Sequence, residues 1–464
     1  MKNKGPYIHS NQSTSKMMFH LTVALLPLVF FSFYKNGIIP YLNHSTNLYG
    51  MLRPLLFIFV AVISTFLIET IYQMIFFKKK DQELIQTIKN SYAYIPGLFL
   101  GLILPINTTF PILIIACFIA IIIGKMIYGG FGNNVFNPAL IGLLFITTMY
   151  GSVISTHGGY LNSYENLIIS SATPLTNQSL IDGIGNYHTL VEPFGNLWDF
   201  FIGTIPGAIG ETSALLCIIG FIYLTYHKVI KWKIPLFYIM TVFIMTFIIG
   251  SCHGLGIWYP TFQILSGGLL FGAIFMATDP VTSPTTSLGQ VIGGITLGIL
   301  TVLFRYMTAS PEGVMTSILT FNLLTFTLDK IGLKQNKKII IIILICMIAI
   351  SFGISKSIDS KQNDNNFHLI DKKIENTQTI YTVTQKGNGG NIKIEITMKE
   401  KKPIQYKVLE HNETPAYYQK IEEENYIEKL LNSENVETVD TVSGATISST
   451  ALKKALLAVI ELEG

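Results

Sequence analysis

The sequence predicts a polytopic α-helical membrane protein with an inverted repeat, followed by a small α+β domain outside the membrane. Three observations predict it. Half of the 464 residues are hydrophobic and only 13% are charged, where a soluble domain carries about 25%. Apolar runs of bilayer-crossing length, about 17–25 residues, recur from residue 17 to residue 355. From about residue 357 the composition turns to Lys, Glu, Asn and Asp.

Eleven spans are expected: about ten in a bundle and one tether. They lie at roughly 17–34, 52–77, 92–105, 110–127, 137–151, 205–226, 234–251, 263–277, 287–304, 313–330 and 339–355. The polar start, residues 1–16, lacks a small-residue cleavage site and reads as a cytoplasmic tail. Short loops rich in lysine stay on the cytoplasmic side. Lys78, Lys79, Lys80 and Lys89 mark one such loop, Lys228, Lys231 and Lys233 a second, and Lys330, Lys334, Lys337 and Lys338 a third. Alternating spans then put the loop 152–204 and the C-terminal domain outside. The expected divisions are a membrane domain at 1–335, a tether helix at 336–358 and a soluble domain at 359–464. The net charge of +4 argues against nucleic acid as a partner.

Residues 96–104 (Pro-Gly-Leu-Phe-Leu-Gly-Leu-Ile-Leu) resemble residues 267–275 (Gly-Gly-Leu-Leu-Phe-Gly-Ala-Ile-Phe). Each is short, glycine-bearing and followed by proline, and the two run in opposite directions. Such pairs mark inverted repeats and often line a central site. Glu69, Glu211 and Asp279 fall at membrane depth, where a charge costs about 2.5–3.5 kcal/mol on insertion scales. They are the ion-path candidates, with a structural salt bridge the competing reading for each. Lys125, Glu312 and Asp329 lie nearer span ends, where a charge can snorkel or pair. Cys117, Cys217, Cys252 and Cys346 have no spacing that suggests zinc, haem or a self-contained cluster. No metal site and no catalytic Ser–His or Cys–His arrangement is expected.

In the soluble part, Asn391–Met398 alternates as a strand after a turn at Gly387–Gly390. Pro415–Leu431 reads as helical. Ser448–Leu462 reads as an amphipathic helix, with Leu452, Leu456, Val459 and Ile460 inward and Lys453 and Lys454 outward. Just before it stands Asp440-Thr441-Val442-Ser443-Gly444-Ala445-Thr446. A helix N-terminus offers free N–H groups and a positive dipole end to a phosphate. A plain N-cap is the simpler reading of the same residues.

The stretch Ser443-Gly444-Ala445-Thr446 resembles the flavinylation motif of FMN-binding domains. These occur in the G-type component of the Rnf electron-transport complex and in the C-type component of the sodium-pumping NADH:quinone reductase. His411-Asn412-Glu413-Thr414-Pro415 and Gly389-Gly390-Asn391-Ile392 resemble that domain's other hallmarks, although Ala416 stands where glycine is usual. The resemblance implies that Thr446 carries FMN as a phosphoester, made by a flavin transferase.

Residues 124–130 (Gly-Lys-Met-Ile-Tyr-Gly-Gly), 132–139 (Gly-Asn-Asn-Val-Phe-Asn-Pro-Ala), 205–213 and 275–286 resemble the D-type component of the Rnf complex and the related B-type component of the quinone reductase. Ser170-Ser171-Ala172-Thr173-Pro174-Leu175 resembles that family's own flavin site. This implies a second covalent FMN on Thr173 and leaves room for an additional non-covalent flavin. The whole chain then resembles a fusion of an Rnf D-type component with a G-like FMN-binding domain. The implied role is an electron carrier in an ion-translocating ferredoxin:NAD oxidoreductase of the cell membrane, coupled to Na+ or H+. The expected partners are its sister subunits, a flavin transferase and membrane lipid, and the chain is not expected to be catalytic alone. Three alternatives stay open: a fused B–C pair of the quinone reductase, an outward flavin-based electron conduit, and a non-redox transporter.

Overall fold

The computed structural model describes residues 13–156, 160–161, 170–171, 175, 184–208, 210, 213–308, 313–335, 338–364, 368–375, 378–387, 390–399, 402–411, 413, 415–433, 436, 439–442 and 445–463. Its contacts divide the chain into two units, Met1–Ser355 and Lys356–Gly464.

The first unit is helical. Its main helices are α1 (Thr14–Leu42), α2 (Leu48–Phe76), α3 (Asp81–Ser91), α4 (Tyr94–Ile103), α5 (Phe110–Met126), α6 (Pro138–Thr156), α7 (Ala214–Tyr226), α8 (Lys233–Cys252), α9 (Trp258–Leu265), α10 (Leu269–Met276), α11 (Ser287–Met307), α12 (Val314–Leu333) and α13 (Lys338–Asp364). Among the described residues, five helices are long and apolar enough to cross a membrane unaided: α1, α2, α8, α11 and the first 21 residues of α13. The bent pair α9–α10 makes a sixth if counted as one span.

Every expected span contains a helix, but three details differ from the sequence reading. Among the described residues of the segment 205–226, the helix starts at Ala214, with Pro206 and Gly207 breaking the segment's start. The segment 263–277 is two helices bent by 63°. Gly267 and Gly268 stand at the break with φ of +66° and +64°, a conformation that costs other residues a clash at Cβ. The lysine loop at 78–91 holds helix α3, with Asp81 and Glu83 in its first turn and Lys89 in its last, which suits the helix dipole.

Helix α2 shows why this unit belongs in lipid. Phe59, Phe66, Leu67, Ile71 and Ile75 are exposed, while Ile58, Ala61, Thr65, Glu69 and Gln73 are buried at steps of three and four. A water-soluble helix has the reverse arrangement. Small residues bring backbones close, as in membrane helix pairs. A Cβ on Gly97 of α4 would meet the Ala61 carbonyl of α2 at 2.6 Å, and one on Gly294 of α11 would meet the Ile234 carbonyl of α8 at 2.8 Å. The similar segments 96–104 and 267–275 touch each other, with the Phe99 and Phe271 rings 6.1 Å apart and edge to face. Among the described residues, three π-helical turns interrupt the bundle, at Tyr34–Ile38, Ile122–Met126 and Gly272–Met276. Such turns are frequent at functional sites.

The second unit is a four-stranded antiparallel sheet of β1 (His368–Glu375), β2 (Gln378–Lys386), β3 (Asn391–Lys399) and β4 (Lys402–His411), in chain order. Ile392, Ile394 and Ile396 of β3 are fully buried on one face. Helices α14 (Pro415–Glu423), α15 (Tyr426–Asn432) and α16 (Thr446–Glu463) complete the unit. The expected single helix at 415–431 is two, because Asn425 takes a left-handed conformation with φ of +48°. Leu452, Leu456 and Val459 of α16 pack with the buried isoleucines in one core. Lys453, expected outward, instead donates to the Val439 carbonyl at 2.9 Å.

Candidate functional site

Thr446 is the first residue of α16. Two serines of the following turn brace the approach to it. Ser449 Oγ accepts from the Val442 N–H at 3.2 Å and donates to the Ala445 carbonyl at 3.0 Å. The Ala445 N–H returns to the Val442 carbonyl at 3.0 Å. Ser448 Oγ donates to Glu413 Oε2. Ser448, Ser449, Glu413 and Ala445 are all buried. Lys453, one turn further along, holds Val439. The loop from residue 439 is thus clipped to α16 at both ends, so the helix N-terminus is presented in a fixed frame. An anion arriving there meets N–H groups of the first turn that have no partner within the helix. Ser443 and Gly444 lie outside the described residues. Sequence reasoning misses Ser448, Ser449 and Lys453 as braces; the one-turn spacing of Ser449 and Lys453 along the helix is the available signal.

Around this frame three phenols titrate above the usual tyrosine range. Burial, then Asp440, holds Tyr426 up at about 12. Burial, then Glu422, raises Tyr418, and burial, then Tyr418 and Tyr426, raises Tyr406 further. The His411 ring stacks on Tyr418 with centroids 3.7 Å apart.

In the membrane unit Thr173 and Glu211 lie outside the described residues. Leu175, two positions after Thr173, is described and buried, 2% exposed. Its Cδ1 stands 2.1 Å from where a Cβ on Gly267 would be. The motif that ends in Leu175 therefore ends against the break between α9 and α10. Arg305 of α11 holds that break. Its guanidinium donates to the Gln263 carbonyl at 2.6 Å, to Gln263 Oε1 at 3.0 Å and to the Ser266 carbonyl at 3.1 Å.

Glu69 and Asp279 have different surroundings. Glu69 Oε2 accepts from Lys125 Nζ at 2.7 Å, and both side chains are buried. Lys125 also donates to the Ser91 carbonyl at 2.7 Å. It does not snorkel; it is the buried partner of Glu69. Asp279 accepts from Thr282 Oγ1 at 3.2 Å and lines a cavity. Lys125, Asn134 and Asn137 line the same cavity, with Phe99, Phe131 and Phe275. The stretches 124–139 and 275–286, far apart in sequence, meet there. Asp329, expected near a span end, ties down the second stretch, accepting from the Thr285 and Thr286 N–H groups at 3.0 and 2.9 Å. Glu312 lies outside the described residues. Among the described residues no group of three metal-ligating side chains occurs.

Comparison with known proteins assigns both units. Residues 1–338 match the NQR2, RnfD, RnfE family. The chain belongs to that family. Within it, the chain is 36% identical over 332 residues to the D component of the proton-translocating ferredoxin:NAD(+) oxidoreductase complex of Clostridium ljungdahlii, covering 71% of this chain and 93% of the relative. It is 32% identical over 343 residues to the D component of the Na(+)-translocating complex of Acetobacterium woodii, covering 72% and 96%. The B component of the Na(+)-translocating NADH-quinone reductase of Chromohalobacter salexigens is 34% identical over 284 residues, covering 59% and 65%. Beyond the part shared with these RnfD-family relatives, residues 387–461 match the FMN-binding domain family.

Proposed function

We propose that the chain is the RnfD-type electron carrier of an Rnf-type ion-translocating ferredoxin:NAD oxidoreductase, with its FMN-binding domain fused behind the membrane unit. The observation that carries the reading is the braced helix start at Thr446 inside a domain of the FMN-binding family. Thr446 holds FMN through a phosphoester, and Thr173 holds a second. FMN supplies the redox chemistry, since threonine has none. The chain positions it: the first turn of α16 faces the phosphate, Ser448, Ser449 and Glu413 keep that turn in place, and Leu175 anchors the other flavin-bearing segment. The arrangement expected in the cell membrane is ten spans plus a tether, with the N-terminus cytoplasmic and the FMN-binding domain on the opposite side. Glu69, Asp279 and Glu211 are the path candidates for the translocated ion. An additional non-covalent flavin belongs to the same reading. Sister subunits supply the ferredoxin and NAD sites, and a flavin transferase matures the chain.

The test is co-production with a flavin transferase, followed by intact mass and in-gel flavin fluorescence. Two FMN groups less water are expected. Thr173→Ala and Thr446→Ala each remove one, and the double variant is dark. Bare threonines in the presence of active transferase would favour the transporter reading. The similarity to the B component of the quinone reductase supports one second reading, a fused B–C pair. Reduction of quinone rather than NAD by the purified complex would establish it.

A further inference from the structure

Glu69 and Lys125 leave oxygens unused around their buried pair. Glu69 Oε2 and the Ser91 carbonyl each take the ammonium at 2.7 Å. Glu69 Oε1, fully enclosed, accepts no hydrogen bond among the described residues. One turn further along the same face of α2, Gln73 is 7% exposed and its Oε1 also accepts none among the described residues. The Gln73 amide nitrogen lies 3.9 Å from Met126 Sδ, in the π-helical turn that carries Lys125. Two buried acceptors without donors, one turn apart on one helix face, are costly and call for a cause.

We propose that Glu69, Gln73 and the Ser91 carbonyl form a site for a monovalent alkali cation, and that the Lys125 ammonium is a tethered occupant which the cation displaces. The donor set is a carboxylate, an amide oxygen and a backbone carbonyl, the hard oxygens that hard cations take. Charge sets the valence. A monovalent ion replacing the ammonium leaves the site neutral, whereas a divalent ion leaves an extra buried charge, which is expensive. The displaced ammonium has a destination. Lys125 lines the cavity that Asp279 also lines, and its Nζ already lies 5.9 Å from the Phe131 ring centroid. The four-carbon stem of lysine is flexible enough to turn from one carboxylate wall to another. The pair then acts as an exchanger: the ammonium fills the oxygen cage when no cation is there, and moves toward Asp279 when one is.

This deepens the ion-path reading above and rests on it only in placing Glu69 on the path. The test uses the full-length chain in detergent. Thermal unfolding is followed against NaCl, with N-methylglucamine chloride holding ionic strength constant. Lys125→Met is expected to raise the apparent Na+ affinity by at least about tenfold over the wild type, because the internal competitor is gone. Adding Glu69→Gln abolishes the Na+-specific stabilisation, and adding Gln73→Leu instead weakens it about tenfold. Lys125→Gln serves the same comparison if the methionine variant does not fold. In the wild type, Na+ should produce an infrared difference band of a carboxylate that Glu69→Gln lacks. The proposal is overturned if neither Lys125 variant responds to Na+ specifically, if the response survives Glu69→Gln, if stabilisation follows pH rather than Na+, or if the wild type gives no such band. Flavin content is read on the same samples. Intact flavins with no Na+ response sink this proposal alone; missing flavins sink the redox reading and leave the titration standing.

Discussion

Replacing Gly267 by alanine puts a methyl group where Leu175 already stands. The new Cβ would lie 2.1 Å from Leu175 Cδ1, where carbon atoms in contact keep about 3.5–4.0 Å. The backbone there has φ of +66°, which costs a residue with a Cβ about 1–2 kcal/mol. Forcing the overlap apart costs about 1–3 kcal/mol more. The sum, ~2–5 kcal/mol, is large for one methyl. Leu175→Ala alone truncates a buried leucine, at about 2–5 kcal/mol. In that background Gly267→Ala should retain only the backbone cost, so the double variant should be more stable than the sum of the singles by about 1–3 kcal/mol. The assay is thermal unfolding of the detergent-purified chain, with Thr173 flavinylation read by in-gel fluorescence on a Thr446→Ala background. Gly267→Ala should lower both, and Leu175→Ala should remove most of the interaction. An alanine at 267 that melts like the wild type would refute the anchoring of the loop against the helix break. So would a penalty unchanged by Leu175→Ala.

Three further outcomes are expected. Asp329→Asn keeps an oxygen for the Thr285 and Thr286 N–H groups but puts an amide nitrogen where Oδ2 now accepts from the Thr285 N–H and hydroxyl, and should destabilise the membrane unit by ~1–3 kcal/mol, read by thermal unfolding. Ser449→Ala removes the hydroxyl that bridges the Val442 N–H and the Ala445 carbonyl, and should cost ~0.5–1.5 kcal/mol and slow FMN loading at Thr446, followed by fluorescence over time. The raised phenols make the soluble unit alkali-sensitive. A folded-state value above the unfolded one means that stability is fully present below about pH 10 and is lost as pH climbs toward the value of about 12 held by Tyr426. Unfolding temperature should therefore fall across that window. Tyr426→Phe should blunt the fall and, because the buried Tyr426 hydroxyl has no hydrogen-bond partner among the described residues, should raise stability near pH 7 by up to about 1 kcal/mol.

The apolar runs make the helices legible because length and hydropathy are local properties. The start of α16 is legible for the same reason, since Ser, Thr and Gly before an amphipathic run mark a helix N-terminus. Other features depend on partners distant in sequence. Lys125 reads as a span-end charge until Glu69, 56 positions away, is found beside it. Leu175 reads as a turn residue until Gly267 receives it. The delayed start at Ala214 is hidden because residues 205–213 are short on charge, and the hydropathy of a glycine–proline stretch resembles that of a helix. The serine brace at 448–449 reads only as ordinary helix sequence, although its acceptor Glu413 stands in a motif of its own.

A π-helical turn holds one residue more than the α-helical turn it replaces. In α5 the extra residue lies within Ile122–Met126, just where Lys125 leaves the helix. Removing a single residue there would restore regular α geometry and rotate everything beyond it by about 100°. Lys125 would then point away from α2. The length of that one turn therefore sets which neighbour the lysine faces, so a shortened chain could keep every side chain named here and still lose the pair.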